Sequence, residues 1–181
     1  MRKIHPKMSV KRYCEHTLVN NFLQNLDDDT APVYREIIRS LSALGYFPRK
    51  EKSGISFKHD LHNKQIAKMS LKTSKKSGAS PSFALRFSAC QGYSQRFSDI
   101  VCAYMAKYPT RRARCIIGEC SYCRGDAAGH VYTDVFSDDT ANAHCGAYAI
   151  EIPNVSAVDI NEINNLIEEE HSYLLKHEAG I

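Results

Sequence analysis

Four of the seven cysteines lie in the C-terminal half of the chain with the spacing of a metal site. They form the pattern C-x4-C-x2-C-x21-C at Cys115, Cys120, Cys123 and Cys145. Cysteine thiolates bind Zn²⁺, and two cysteines separated by two residues can turn both sulfurs toward one ion. We therefore predict a zinc site with these four ligands. His144 or His130 is an alternative for one of the four, because imidazole nitrogen also binds zinc.

The local sequence around the pair Cys120 and Cys123, with Gly125 after it, resembles a zinc knuckle. Four sulfur ligands fill the tetrahedral shell of zinc, so we expect a closed, structural site without an open position for a catalytic water. The surrounding guanidinium groups are expected to offset the negative charge of the four thiolates. They belong to Arg111, Arg112, Arg114 and Arg124.

An iron–sulfur cluster is the alternative for the same cysteines. The pattern C-x4-C-x2-C with a later fourth cysteine is also the plant-type ferredoxin arrangement that holds a [2Fe-2S] cluster. The bulky Tyr122 inside the tight loop and the basic surroundings favour zinc. A thioredoxin-like role for Cys120 and Cys123 is disfavoured, because no helical pattern follows the pair.

A second candidate site is a set of basic residues on alternating strand positions. If the strands pair in register, one face of the sheet carries Lys58, Lys68, Lys72 and Arg86. Such a face could bind an anionic ligand or a nucleic-acid backbone. We favour a solvated surface, because lysine ordinarily keeps exposed strands from aggregating and this face lacks the aromatic residues that stack on bases.

Composition limits the classes of protein and the cellular compartment. The chain has 181 residues and a formal net charge of +4, which permits an anionic partner without requiring one. We expect no membrane partner, because no apolar run approaches the roughly 20 residues of a membrane span. The basic N-terminus is followed by no apolar segment of a secretory signal, and the odd number of cysteines argues against disulfides. These features predict a cytoplasmic protein.

Hydrophobic periodicity predicts the elements that would position these residues. Apolar residues at helical spacing indicate helices over residues 13–26, 32–44, 92–108 and 159–174. Alternation indicates strands around residues 55–57, 67–71 and 83–87, and a hairpin formed by residues 131–136 and 147–152. The prediction is one α+β domain over residues 1–181, with an antiparallel sheet packed against helices. A cysteine-rich module over residues 109–153, stabilised by zinc, lies within it.

The stretch from Ile55 to Tyr108, with strands followed by an amphipathic helix, resembles the YdhG-like uncharacterised proteins. Those proteins are small α+β domains, and the resemblance implies a ligand-binding or carrier role. It covers under a third of the chain and does not include the cysteines. No site residue is carried over from it.

Together these features predict a binding or regulatory domain with a structural zinc and an unidentified small molecule or protein as its partner. An enzyme is disfavoured, because the sequence assembles no set of nucleophile, base and orienting group. A nucleic-acid-binding protein that uses the basic face and the arginine cluster is one alternative. An electron-transfer protein with a [2Fe-2S] cluster is the other.

Overall fold

The computed structural model describes residues 10–74, 78–90, 92–120, 128–133 and 143–178. Its centre is a five-stranded antiparallel sheet in the order β1-β2-β3-β4-β7. The helices are α1 (Val10–Leu23), α2 (Thr30–Ala43), α3 (Gln95–Lys107) and α4 (Ile160–Glu178). The strands are β1 (Tyr46–Glu51), β2 (Gly54–His59), β3 (Gln65–Ser74), β4 (Gly78–Leu85), β5 (Val131–Tyr132), β6 (His144–Cys145) and β7 (Ile150–Ile152). The α+β fold class predicted from the sequence is confirmed.

The helices cover one face of the sheet and form the main hydrophobic core. Helix α2 buries the stripe predicted by its periodicity, including Tyr34, Ile37 and Leu41. The helix ends at Ala43, and Gly45 two residues later has a φ of 85°, the left-handed conformation expected of a glycine after a helix. Helix α4 adds Ile163 and Ile167, neither of which is exposed. None of the helices in the described ranges has both the length and the apolar character needed to span a bilayer.

The predicted hairpin of residues 131–136 and 147–152 is wrong. The two segments belong to different sheets: β5 pairs with β6, whereas β7 adds to the edge of the main sheet beside β4. Residues 134–142, which include the predicted turn, lie outside the described residues. The alternation of Ile150 and Ile152 around the exposed Glu151 matches an edge strand with one buried face.

Strand β1 was not predicted. Its sequence Tyr-Phe-Pro-Arg-Lys-Glu ends in three charged residues and contains a proline, which together hide the alternation. Proline is tolerated in this strand because β1 lies at the sheet edge, where it pairs only with β2. Strands β3 and β4 are also longer than predicted and reach Ser74 and Gly78, positions that the sequence assigned to a loop.

A buried polar network joins β4, the cysteine-rich module and α4. Arg86 is 3% exposed and Glu170 is fully buried, and the Arg86 Nε lies 2.6 Å from the Glu170 Oε1. The backbone N–H of Ala89 donates to the other carboxylate oxygen at 2.8 Å. An Arg86 amino group also contacts the ring Nε2 of His130, which is 1% exposed. Burial raises the pKa of Glu170, and the positive charge of Arg86 acts against that shift.

This network corrects two placements made from the sequence. Arg86 does not belong to the exposed basic face, because its guanidinium lies in the core and pairs with Glu170. The run of Glu168, Glu169 and Glu170 indicates, by its charge, an acidic outer side of α4. The structure exposes Glu168 and Glu169 and turns Glu170 inward. Helical spacing was a signal for this position, because Glu170 lies three residues after Ile167 and four before Leu174, but its charge points the other way.

The Glu170→Ala variant tests the importance of the buried pair. Removal of the carboxylate leaves the Arg86 guanidinium buried without its counter-charge, so we expect a loss of roughly 3–5 kcal/mol in the free energy of unfolding. Urea unfolding measures this loss. The control is Glu168→Ala on the exposed side of the same helix, which should change stability by less than about 0.5 kcal/mol. Equal effects of the two substitutions would contradict the structural role of the pair.

Candidate metal site and adjoining groove

Three of the predicted zinc ligands lie on two chain segments that pair with each other. Cys115 and Cys120 belong to the segment after α3, whereas Cys145 ends β6. The segments are joined by backbone hydrogen bonds, from the Cys145 N–H to the Arg111 carbonyl at 3.0 Å and from the Ala113 N–H to the Ala143 carbonyl at 2.8 Å. A β-bridge between Arg112 and His144 lies between these bonds. Cys145 is therefore held beside the start of the loop that contains Cys115.

The loop from Cys115 to Cys120 folds back on itself. The Gly118 N–H donates to the Cys115 carbonyl at 3.2 Å, and the Glu119 N–H donates to the Arg114 carbonyl at 3.0 Å. Gly118 has a φ of 75°, a left-handed conformation that glycine adopts easily. This turn returns Cys120 toward Cys115.

The thiol of Cys115 is half-buried and has the other two cysteines as neighbours. Burial raises its pKa first, and the charges of Cys145 and then Cys120 raise it further. Cys115 also packs against a small cluster of Ala113, Val131 and Ala143, which is separate from the main core.

The fourth predicted ligand, Cys123, lies outside the described residues, as does Arg124. Within the described ranges, no group of three or more histidine, cysteine, aspartate or glutamate side chains is already arranged to hold a metal ion. The described geometry therefore gives the backbone pairing of two segments that carry cysteines, without a metal-binding group among the described residues. The zinc and [2Fe-2S] assignments both stay predictions.

The two histidines considered as alternative ligands have other partners. The His130 Nε2 contacts the Arg86 guanidinium, so this nitrogen acts as an acceptor in the buried network. The His144 Nε2 lies 2.9 Å from the Tyr108 carbonyl, which can only accept, so this nitrogen carries the proton. The Nε2 of neither histidine is therefore available as a metal ligand in this arrangement.

The guanidinium of Arg111 lies between two tyrosine rings. Its central carbon is 4.1 Å from the centroid of the Tyr108 ring and 4.5 Å from that of Tyr148. One amino group donates to the Tyr104 hydroxyl at 3.3 Å. Arg111 thus makes cation–π contacts, and its role in offsetting thiolate charge stays a prediction.

The side chains of Tyr104, Tyr108 and Arg111 line a groove between α3 and the edge of the sheet at β4 and β7. The groove has a volume of about 430 Å³, in the size range of small-molecule sites. Its floor is apolar and includes Ala84, Ile100 and Ile150, while Lys107 and Arg111 contribute positive charge. Arg111 connects the groove with the cysteines. Its backbone carbonyl accepts a hydrogen bond from the Cys145 N–H, and its side chain lines the groove.

The predicted basic face retains three of its four members. The register places Lys58, Lys68 and Lys72 on the side of the sheet opposite the core. Lys72 forms an ion pair with Glu151 of β7, so part of its charge is already neutralised. The face is therefore less basic than the sequence indicates.

Three histidines cluster at the other edge of the sheet. The rings of His59 and His62 stack with centroids 4.2 Å apart, and His171 of α4 lies 5.4 Å from His59. The Nδ1 atoms of His59 and His62 accept backbone N–H groups from Leu61 and Lys64. In the neutral rings the proton is then on Nε2, which leaves no lone pair for a metal. The three rings pack against one another and against the Tyr46 ring.

Sequence reasoning missed the aromatic residues of the groove. Tyr104, Tyr108 and Arg111 follow one another at helix-like intervals of four and three residues, which was a signal for a shared surface. Tyr148 lies far away in the sequence. Its position depends on the turn after β6, which gave no recognisable pattern.

The burial of His130 predicts a dependence of stability on pH. Burial, together with the charges of Arg86, Lys64 and His177, lowers the pKa of His130 from 6.5 to about 3. Between these values the unfolded chain binds a proton that the folded chain does not, so stability falls as the pH decreases from 6.5 toward 3. His130→Gln keeps an acceptor for Arg86 but does not titrate.

We therefore expect a shallower loss of stability in acid for His130→Gln than for the natural chain. The difference should approach roughly 1 kcal/mol per pH unit. Urea unfolding at several pH values measures it, with His16→Gln, which removes an exposed histidine of α1, as the control. Parallel pH profiles for the natural chain and His130→Gln would show that His130 does not stay neutral in the core.

Comparisons with family models, with curated proteins and with solved structures find no match to this chain. The resemblance of residues 55–108 to the YdhG-like proteins therefore stays a prediction. Function is therefore inferred from the described residues themselves, above all from the paired segments that carry the cysteines and from the groove beside them.

Proposed function

We propose that this protein is a zinc-binding domain in which a structural zinc ion, held by Cys115, Cys120, Cys123 and Cys145, orders one wall of a ligand-binding groove. The single observation that carries the proposal is the backbone pairing that holds Cys145 beside the Cys115 loop. Two separate segments converge there with a cysteine on each. The same segment supplies Arg111 to the groove.

Charge in this region supports a metal. The two cysteines that approach Cys115 raise its pKa, and guanidinium groups are not among the causes of that shift. Arg111 is occupied by tyrosine rings. A thiol with a raised pKa keeps its proton at neutral pH, and a divalent cation would displace that proton and stabilise the sulfur as a thiolate.

The small cluster around the cysteines also supports a structural role for the metal. Ala113, Val131 and Ala143 bury little apolar surface, and the β5–β6 ladder has only two residues on each strand. The described part of the module therefore has little apolar core of its own beyond the residues that pack into the main core. Zinc supplies folding free energy to small modules of this kind.

Elemental analysis and visible absorption of anaerobically purified protein test the proposal. We expect one zinc ion per chain and a colourless protein, because zinc has no visible transitions. Iron together with strong absorption in the visible range would identify a [2Fe-2S] cluster and contradict the zinc assignment.

A matched pair of cysteine variants tests the ligands. Cys145→Ser removes a sulfur at the point where the segments meet, so we expect loss of bound zinc and a lower free energy of unfolding. Cys14→Ser makes the same change at an exposed cysteine of α1 and should keep both at their natural values. Full zinc content in Cys145→Ser would remove Cys145 from the ligand set.

A further inference from the structure

The groove beside the cysteines has a distinctive distribution of charge. Its apolar floor is formed by Ala84, Ile100 and Ile150, and Lys107 and Arg111 line the groove as well. The Lys107 Nζ lies 5.3 Å from the centroid of the Tyr108 ring, on which the Arg111 guanidinium also stacks. Two cations therefore share one aromatic ring at the same end of an apolar groove.

Glu151 is the only acidic side chain among the described residues that line the groove, and its negative charge is already balanced by Lys72. The Glu151 carboxylate accepts hydrogen bonds from Lys72 and from the Ser82 hydroxyl, the latter at 3.1 Å. Burial by itself raises the pKa of Glu151, but these bonds and the charges of Lys72 and Lys107 outweigh that effect, so the pKa is lowered. The charge of Glu151 is thus neutralised by Lys72. The end of the groove that carries Lys107 and Arg111 therefore keeps a net positive charge.

The position of Arg111 is fixed before any ligand binds. Its backbone N–H donates to the Tyr108 carbonyl at 3.0 Å, its carbonyl accepts from Cys145, and its side chain is held by Tyr104, Tyr108 and Tyr148. A cation held in place loses less conformational entropy when an anion binds than a free surface arginine does. This feature distinguishes the groove from the lysine-bearing sheet face.

We propose that this groove binds an organic anion with an apolar body, whose head group contacts Lys107 and Arg111 and whose body lies on the apolar floor. The inference rests on the proposed function, because it names the class of ligand for the groove that the zinc module borders. Carboxylates, sulfonates and phosphates share the required head-group chemistry. Polar neutral molecules and organic cations do not fit the charge distribution.

A pair of fluorescent probes that differ by one anionic sulfonate group tests the proposal. Anilinonaphthalene sulfonate carries an anionic head on an aromatic body, and phenylnaphthylamine is its neutral counterpart. We expect the anionic probe to bind the full chain at least about fivefold more tightly than the neutral one. Equal affinity of the two probes, or no binding of the anionic probe up to about 1 mM, would overturn the proposal.

Charge variants identify the binding site. Lys107→Met should weaken binding of the anionic probe by roughly two- to fivefold, and Glu151→Gln should strengthen it by a similar factor because Lys72 then adds its charge. The control is Lys176→Met, which removes a lysine from the last turn of α4 as Lys107→Met does from the last turn of α3. Equal effects of Lys107→Met and Lys176→Met would overturn the assignment of the groove.

Competition distinguishes the kind of apolar body. Displacement of the probe by naphthoate but not by octanoate indicates a flat aromatic ligand, and the reverse indicates an acyl chain. Either result supports the groove, whereas displacement by neither overturns it.

Zinc analysis of the same preparation separates this inference from the proposed function. Zinc without charge-selective probe binding would leave the metal site standing and remove the ligand. Charge-selective binding without zinc would leave the ligand proposal standing and remove the metal site.

Discussion

The buried pair of Arg86 and Glu170 is the interaction on which the arrangement of this protein depends. Arg86 follows β4, Glu170 belongs to α4, and His130 of the cysteine-rich module contacts the same guanidinium. Ser88 extends the network by donating to the Gly146 carbonyl at 3.1 Å. Because a buried charge must find its partner, the three segments have one relative position. Gly146 is also needed there, since a Cβ at this residue would lie 2.4 Å from the His130 carbonyl oxygen.

The candidate sites follow from that arrangement. The network fixes β5 and the turn after β6, and the Tyr132 hydroxyl donates to the Tyr148 carbonyl at 3.0 Å. Tyr148 then covers one side of the Arg111 guanidinium, while β6 presents Cys145 to the Cys115 loop. The pairing of Cys145 with the Cys115 segment and the shape of the groove therefore both depend on the position of the cysteine-rich module. A change at either is expected to influence the other through the backbone of Arg111.

The sequence predicted the regular elements of the core better than the contacts of the module. The helical stripe of α2 and the alternation of β2 and β3 identified buried residues such as Ile37 and Met69 because periodicity reports which face is apolar. The spacing of the cysteines predicts a metal site, and the structure shows that the segments of Cys115 and Cys145 pair through their backbones. Periodicity could not indicate that Arg86 and Glu170 pair inside the protein, or that Arg111 stacks on Tyr148. Those contacts join residues far apart in the chain, and only the tertiary fold determines them.

The most direct test of the account is the titration of metal-free protein with Co²⁺ under anaerobic conditions, followed by visible absorption. Cobalt reports its coordination geometry through its spectrum, whereas zinc does not. We expect one cobalt ion per chain, with the strong bands of tetrahedral sulfur coordination and displacement by zinc. A weak octahedral spectrum, or no binding, would show that the convergent cysteines do not form a metal site.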